Sequence, residues 1–80
     1  MRDMVTMYTT TWCSYCRRLK DGLNRAGIDY VEIDIETDET AADIVVAANG
    51  GNRTVPTLVF EDGTALTNPS VDEVKSKLAA

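Results

Sequence analysis

Two cysteines separated by two residues are the side chains of this sequence best suited to carry out chemistry. Cys13 and Cys16 are its only cysteines, and they lie in the run Trp12-Cys13-Ser14-Tyr15-Cys16. A short apolar run typical of a strand precedes them, and a run with helical spacing follows. This order predicts Cys13 at a helix N-terminus, where unpaired N–H groups and the helix dipole favour a thiolate. Because a thiolate attacks disulfides, the expected chemistry is thiol–disulfide exchange.

The spacing of the two cysteines also predicts their roles. Residues at i and i+3 share one face of a helical turn, so the two sulfurs are able to form a disulfide. We expect Cys13 to be exposed with a lowered pKa and Cys16, one turn later, to be shielded with an ordinary one. Cys13 then attacks and Cys16 resolves. The alternative, a structural zinc site, needs four ligands, whereas the chain has no histidine and no third cysteine.

Length, composition and charge restrict the class of protein. The 80 residues suffice for one small domain, predicted over residues 1–80, and a hydrophobic fraction of 44% is ordinary for a globular chain. A net charge of −5 argues against nucleic acid as the main partner. No stretch approaches the roughly 20 apolar residues of a membrane span, and no signal-peptide pattern precedes the first strand. We therefore expect a cytoplasmic protein with no membrane partner.

The hydrophobic periodicity predicts seven elements in the order β-α-β-α-β-β-α. A first helix over about Ser14–Ala26 ends at Gly27, and Asp62-Gly63 indicates a hairpin turn between the last two strands. The first β-α-β unit is expected to be parallel and right-handed, and the hairpin antiparallel. The residues expected to face the core are those with strand or helix spacing in the second strand and the last two helices: Val31, Ile33, Ile35, Ala41, Ile44, Val45, Ala48, Val71, Val74 and Leu78.

A second candidate site is Thr54-Val55-Pro56, directly before the third strand. Proline is tolerated there because the first residue of a strand need not donate to the ladder. A cis Val55–Pro56 bond leaves the Val55 backbone groups free to bind an extended peptide or a thiol adduct. An ordinary trans proline at a loop end is the other interpretation, and the dipeptide alone does not decide between them.

These features together resemble the glutaredoxins of the thioredoxin superfamily, over essentially the whole chain. Trp12-Cys13, the run Asn49–Thr57 and Leu66-Thr67-Asn68-Pro69 look like the mycoredoxins within that group, whose low-molecular-weight thiol is mycothiol. The resemblance implies a thioredoxin-like α/β fold with a four-stranded mixed sheet flanked by three helices. It also implies that Cys13 is the nucleophile and that the Val55–Pro56 bond is cis.

The resemblance further implies where the substrate binds. It places Tyr15, Val55 and the Thr67-Asn68 turn around a thiol-binding groove next to Pro56. Trp12 is expected to form a partly buried wall beside Cys13, with a purely packing role as the alternative. Glutaredoxins usually have a Gly-Gly pair and an acidic residue after the last strand. Here Thr67-Asn68-Pro69-Ser70 occupies that place, and its hydroxyl and amide groups suit sugar hydroxyls. The other interpretation is that Asn68-Pro69-Ser70 is simply a turn and a helix cap.

The predicted function is reduction of mixed disulfides between proteins and a low-molecular-weight thiol, with mycothiol as co-substrate and no bound cofactor. The expected partners are mycothiolated or disulfide-containing proteins and a flavin-dependent reductase, and the expected state is a monomer. The alternatives are a dithiol electron donor to ribonucleotide reductase recycled by thioredoxin reductase, an iron–sulfur cluster carrier, and a non-catalytic peptide-binding module. The cations of the first helix, Arg17, Arg18, Lys20 and Arg25, either steer anionic partners or form a solvated face.

Overall fold

The computed structural model describes residues 4–79, and its elements follow the predicted order. The ends of the predicted domain, residues 1–3 and 80, lie outside the described residues. No helix within residues 4–79 has the length and apolar character needed to cross a membrane. The strands and helices are β1 (Val5–Thr9), α1 (Ser14–Arg25), β2 (Val31–Asp34), α2 (Glu39–Ala48), β3 (Thr57–Phe60), β4 (Ala65–Thr67) and α3 (Val71–Ala79).

The four strands form one mixed sheet in the order β2-β1-β3-β4. Strands β1 and β2 are parallel, with Tyr8 opposite Ile33, as the β-α-β prediction requires. Strand β3 runs antiparallel to β1, with Leu58 opposite Met7, and antiparallel to β4 in the predicted hairpin. The predicted fold class is therefore confirmed, and β2 and β4 are the edge strands of the sheet.

Helices α1 and α3 cover one face of the sheet. The core on this face is formed by buried side chains of β1, β3, α1 and α3, namely Val5, Met7, Leu58, Phe60, Cys16, Leu19, Leu23 and Val74. Gly22 lies where the two helices approach closely, since a Cβ built on it would be 2.5 Å from Cγ2 of Val71. The mid-helix glycine, which lowers intrinsic helix stability, is thus explained by packing against α3.

Helix α2 covers the other face alone, and here the predicted core was partly wrong. Its buried residues are Ala41, Ala42 and Val45, which pack with Tyr8 and Ile35. Ile44 is 40% exposed, and Ala48 and Val31 are also exposed. Because α2 packs beside Tyr8 and Ile35 at the carboxyl ends of β1 and β2, it leaves Val31, at the opposite end of β2, uncovered.

The start of α3 is held by a capping box between Ser70 and Glu73. The Glu73 N–H donates to Ser70 Oγ at 3.1 Å, and the Ser70 N–H donates to Glu73 Oε1 at 3.1 Å. Near the other end of the helix, Lys77 Nζ lies 2.7 Å from Asp62 Oδ2 in the hairpin turn. The hydrogen bonds from Lys77 and Thr64 lower the pKa of Asp62 well below its usual range. Both ends of α3 are therefore tied to neighbouring segments.

Candidate active site

Cys13 is the N-cap residue of α1, as predicted. Its backbone is extended, with φ −86° and ψ 108°, and its Sγ accepts a hydrogen bond from the Cys16 N–H at 3.1 Å. The chain reaches this position because β1 ends at Thr9 and a short turn follows, in which the Cys13 N–H approaches the Thr10 carbonyl at 3.4 Å. The first cysteine sulfur therefore occupies the place of a capping oxygen, where an N–H group stabilises negative charge.

The two cysteines are joined in a disulfide, with their Cα atoms 5.2 Å apart. Cys16 is fully buried against the α1–α3 core, as predicted. Cys13 is only 6% exposed, so the prediction of an exposed first cysteine is wrong for this oxidised form. In the disulfide the Cys13 sulfur lies 3.1 Å from the Cys16 nitrogen and 3.9 Å from the Val55 carbonyl oxygen, so the helix start and the proline loop cover it.

Cys13 nevertheless lines an open cleft of about 420 Å³, named here the sulfur cleft. Trp12 beside it is 70% exposed, which corrects the prediction of a partly buried wall, because the ring stands out at the rim of the cleft instead of packing inward. Tyr15 is 58% exposed on the same rim. The sulfur cleft is lined by Trp12, Cys13, Ser14, Tyr15, Arg53, Thr54 and Val55.

The loop opposite the cysteines contains the cis Val55–Pro56 bond that the family resemblance implies. No backbone–backbone hydrogen bond within residues 4–79 uses the Val55 N–H or carbonyl, so both groups remain available beside the sulfur. The loop is held from behind, where the Thr57 hydroxyl donates to the Thr54 carbonyl at 2.7 Å and Asn49 Nδ2 donates to Thr57 Oγ1 at 3.0 Å. Asn49 at the end of α2 thereby positions the wall of the cleft.

A second cleft of about 190 Å³, named here the turn cleft, adjoins the first at Tyr15. The turn after β4 forms its outer wall, with Asn68 at φ 46° and the Asn68 N–H donating to the Pro56 carbonyl at 2.7 Å. The Arg18 guanidinium lies 5.9 Å from the centre of the Tyr15 ring. The turn cleft is lined by Tyr15, Arg18, Leu19, Asn68, Pro69, Ser70 and Val71.

The structure brings most of the predicted site residues together around these two clefts. Of the predicted binding residues, Trp12, Tyr15 and Val55 line the sulfur cleft, and Asn68 lines the turn cleft. Pro56 is buried behind Val55, and Thr67 lines neither cleft, since its hydroxyl donates to Asn49 Oδ1. Their binding roles stay predictions.

Three residues of the site were not predicted from the sequence. Arg53 lines the sulfur cleft, Arg18 lines the turn cleft, and Asn49 supports the loop. In the sequence, Asn49 and Arg53 stand out only as members of the run 49–57 that resembles the mycoredoxins. Arg18 is one of the cations of the first helix, which were expected either to steer anionic partners or to form a solvated face.

A hydrogen-bonded carboxylate joins α1 to the sheet behind the site. Lys20 Nζ donates to Glu32 Oε2 at 3.0 Å, and the Thr9 hydroxyl donates to the same oxygen at 2.8 Å. Burial raises the pKa of Glu32, but the hydrogen bonds from Lys20 and Thr9 outweigh it and leave this pKa lowered. Helix α1, which positions both cysteines, is thus linked to β1 and β2 by a charged contact.

Comparison with known proteins gives consistent relatives. The family model described as Glutaredoxin matches residues 5–64. A glutaredoxin of Mycobacterium tuberculosis is 60% identical over 74 residues, which cover 92% of this chain and 88% of that protein. Mycoredoxin 1 of Corynebacterium glutamicum is 49% identical over 76 residues, which cover 95% of this chain and 94% of the relative. These matches extend over the cysteine pair and the proline loop.

Solved structures agree on the fold. A glutaredoxin of Methanosarcina mazei superposes with a TM-score of 0.82 at 23% identity, covering 96% of this chain and 79% of that one. The NrdH-redoxin of Escherichia coli superposes with a TM-score of 0.77 at 23% identity, covering 91% and 92% of the two chains. At this level of identity the likeness concerns the thioredoxin-like architecture alone.

Proposed function

Because this chain belongs to the glutaredoxin family and is a glutaredoxin-like thiol–disulfide oxidoreductase, we propose that it reduces mixed disulfides between proteins and the low-molecular-weight thiol mycothiol. The observation that carries the proposal is the position of the Cys13 sulfur. It accepts a hydrogen bond from the Cys16 N–H at 3.1 Å, and Cys13 is one of the residues that line the sulfur cleft. An N-cap sulfur with access to a cleft is suited to act as a thiolate nucleophile.

The first step is attack of the Cys13 thiolate on the mycothiol sulfur of a protein–mycothiol disulfide. A new disulfide forms between Cys13 and mycothiol, and the bond between mycothiol and the protein breaks. The electron pair leaves with the protein sulfur, which takes a proton from solvent to become a thiol. The Val55 carbonyl oxygen lies 3.9 Å from the Cys13 sulfur, and the Val55 backbone makes no backbone–backbone hydrogen bond within residues 4–79. This backbone is therefore suited to hold the adduct as a neighbouring strand would.

The second step regenerates Cys13 by one of two routes. In the monothiol route, a second mycothiol attacks the bound mycothiol sulfur, releases oxidised mycothiol and returns the Cys13 thiolate. In the dithiol route, the Cys16 thiolate attacks the Cys13 sulfur and releases mycothiol, which leaves the Cys13–Cys16 disulfide for an external reductant. The Cα separation of 5.2 Å fits the second route without a large backbone movement.

The choice of mycothiol is supported by the turn cleft and by similarity. Asn68 and Ser70 line this cleft and supply amide and hydroxyl groups, which suit the hydroxyls of a sugar, and Tyr15 offers an exposed ring beside them. Mycoredoxin 1 is also among the relatives at 49% identity. We propose that the protein acts as a monomer in the cytoplasm, where thiol reductants keep such a site cycling.

The test combines activity with mass spectrometry. Reduction of a mycothiolated peptide is measured for the unaltered protein, Cys13→Ser and Cys16→Ser. We expect Cys13→Ser to abolish turnover and Cys16→Ser to retain it through the monothiol route. Cys16→Ser oxidised in the presence of mycothiol is expected to gain one mycothiol on Cys13. Oxidised in the presence of glutathione, it is expected to form substantially less adduct on Cys13.

Two results would contradict the proposal at different levels. Turnover by Cys13→Ser would reject the assignment of the nucleophile. Equal adduct formation with glutathione and mycothiol, together with equal rates of reduction, would reject mycothiol as the preferred thiol. The oxidoreductase activity itself would still stand. A protein that is reduced rapidly by thioredoxin reductase but not by mycothiol would be a dithiol electron donor instead.

A further inference from the structure

The residues that line the two clefts include cations but no carboxylate. The whole chain has 13 Asp and Glu against 8 Lys and Arg, so its net charge is −5. Among the described residues lining the clefts, however, the charged ones are Arg53 in the sulfur cleft and Arg18 in the turn cleft. The site is therefore locally positive on an acidic protein, which is a form of charge complementarity toward an anionic partner.

The two arginines line different clefts, which meet at Tyr15. Arg53 belongs to the loop before Thr54, on the wall opposite the α1 N-terminus. Arg18 is in the second turn of α1 and is held 5.9 Å from the centre of the Tyr15 ring. An extended segment that runs along both clefts past Cys13 would therefore meet both arginines.

Neither guanidinium is committed to a carboxylate within residues 4–79, where the ion pairs use Lys20 with Glu32 and Lys77 with Asp62. The acidic residues nearest in sequence to the turn cleft, Asp21, Asp72 and Glu73, are not among its lining residues. Glu73 is also hydrogen-bonded to the Ser70 N–H. The positive charge of the site thus faces the clefts without an internal counter-ion.

We propose that the protein partners present aspartate or glutamate close in sequence to the cysteine whose disulfide is reduced. This inference rests on the proposed function, because it assigns the protein half of that mixed disulfide. In the proposed function the small thiol is bound through hydroxyl and amide groups. The carboxylates that pair with the two arginines are therefore assigned to the polypeptide. The exposed rings of Trp12 and Tyr15 add an apolar platform of the kind that dominates recognition surfaces.

The test uses peptides with a single cysteine bound to mycothiol. Three peptides differ only in the residues on each side of that cysteine, which are Glu, Gln or Lys. Single-turnover rates with reduced Cys16→Ser report the first exchange step alone. We expect the Glu peptide to react about tenfold faster than the Gln peptide at low salt, since each exposed ion pair contributes about threefold. The ratio is expected to approach one at about 0.5 M salt, where screening is strong.

Substitutions assign the effect to the two arginines. Arg18→Gln and Arg53→Gln, each combined with Cys16→Ser, are expected to lower the Glu-to-Gln rate ratio about threefold each, and the variant with both changes to bring it near one. Arg25→Gln is the matched control, because Arg25 is in the last turn of the same helix and lines neither cleft. The ratio between peptides cancels any general loss of activity in a variant.

The outcomes separate this inference from the function on which it rests. Equal rates for the Glu and Gln peptides, with normal turnover, overturn the inference and leave the proposed function standing. A preference that survives loss of both arginines also overturns it. A Gln peptide that reacts faster with bound glutathione than with mycothiol, only while Arg53 is present, would assign the cation to the small thiol. If no peptide is reduced, the proposed function fails and the inference falls with it.

Discussion

The close approach of α1 and α3 gives a prediction whose size follows from the structure. Gly22 lies in the interior of α1, and a Cβ added there would be 2.5 Å from Cγ2 of Val71. Gly22→Ala therefore combines two opposing effects on the free energy of unfolding. Alanine is favoured over glycine in a helix interior by about 0.5–1 kcal/mol. The new methyl group, however, enters a contact about 1 Å shorter than the usual separation of carbon atoms.

Overpacking a core contact of this kind costs about 1–3 kcal/mol. Val71 has a stiff β-branched side chain, so it has few ways to move Cγ2 aside. The sum predicts that Gly22→Ala lowers the free energy of unfolding by about 1 kcal/mol. In a Val71→Ala background the clashing methyl is absent, and the next atom, Cβ of residue 71, is 3.8 Å away. There Gly22→Ala is expected to raise the free energy of unfolding by about 0.5–1 kcal/mol.

The assay is a double-mutant cycle measured by urea unfolding of the oxidised protein. The coupling between positions 22 and 71 is expected to be about 2 kcal/mol, and a change of 1 kcal/mol corresponds to about 4–8 °C in Tm for a domain of this size. If Gly22→Ala stabilises the protein equally in both backgrounds, the close contact between α1 and α3 is refuted. Unchanged m-values would show that the comparison is between similarly folded variants.

Three further predictions concern the supports of the site. Ser70→Ala removes half of the capping box and is expected to lower the free energy of unfolding by about 1 kcal/mol in urea, whereas no change would show that the cap is dispensable. Glu32→Gln is expected to destabilise by about 0.5 kcal/mol at neutral pH. The pKa of Glu32 is lowered in the folded protein, so the difference in free energy of unfolding between the two proteins exists at pH values above the ordinary pKa of 4.5. The difference is lost as the pH falls through the lowered pKa. A difference that persists in acid would contradict this prediction. Asn49→Ala removes hydrogen bonds that hold the proline loop. It is expected to lower the free energy of unfolding by about 1–3 kcal/mol and to slow disulfide exchange. An unaltered exchange rate would show that Asn49 does not position the site.

The elements of the fold were predicted well where local signals mark their ends. Gly27, with φ 72°, follows α1, and Gly63, with φ 86°, closes the hairpin turn. Both adopt a left-handed backbone that favours glycine, so residue type alone identifies the boundary. The capping box at Ser70 is equally local, because it depends on side chains three residues apart.

The inward face of α2 was harder to predict, for a physical reason. The second half of this helix is almost entirely apolar, with Ile44, Val45 and Val46 in succession, so its periodicity allows more than one orientation. The orientation is decided by tertiary packing, since Ala41 and Ala42 lie against Tyr8 and Ile35. Small side chains permit the close approach, which leaves Ile44 at the surface.

The candidate site shows the same division between local and tertiary information. The N-cap position of Cys13 follows from a strand that leads into a helix, and the structure confirms it. The low exposure of Cys13 in the disulfide, the cleft position of Arg53 and the Asn49 hydrogen bonds depend on segments distant in sequence. No spacing rule along the chain reports such contacts, because they depend on how distant segments pack together.

The central claim is that the backbone amides at the start of α1 favour the thiolate of Cys13. The most direct measurement is the ultraviolet absorbance of the thiolate as a function of pH in reduced Cys16→Ser, where Cys13 is the only cysteine. We expect Cys13 to ionise below about pH 7.5, as other cysteines at helix N-termini do, and its reactivity toward a thiol reagent to rise over the same range. Ionisation at or above about 8.5, the pKa of an ordinary cysteine, would contradict it.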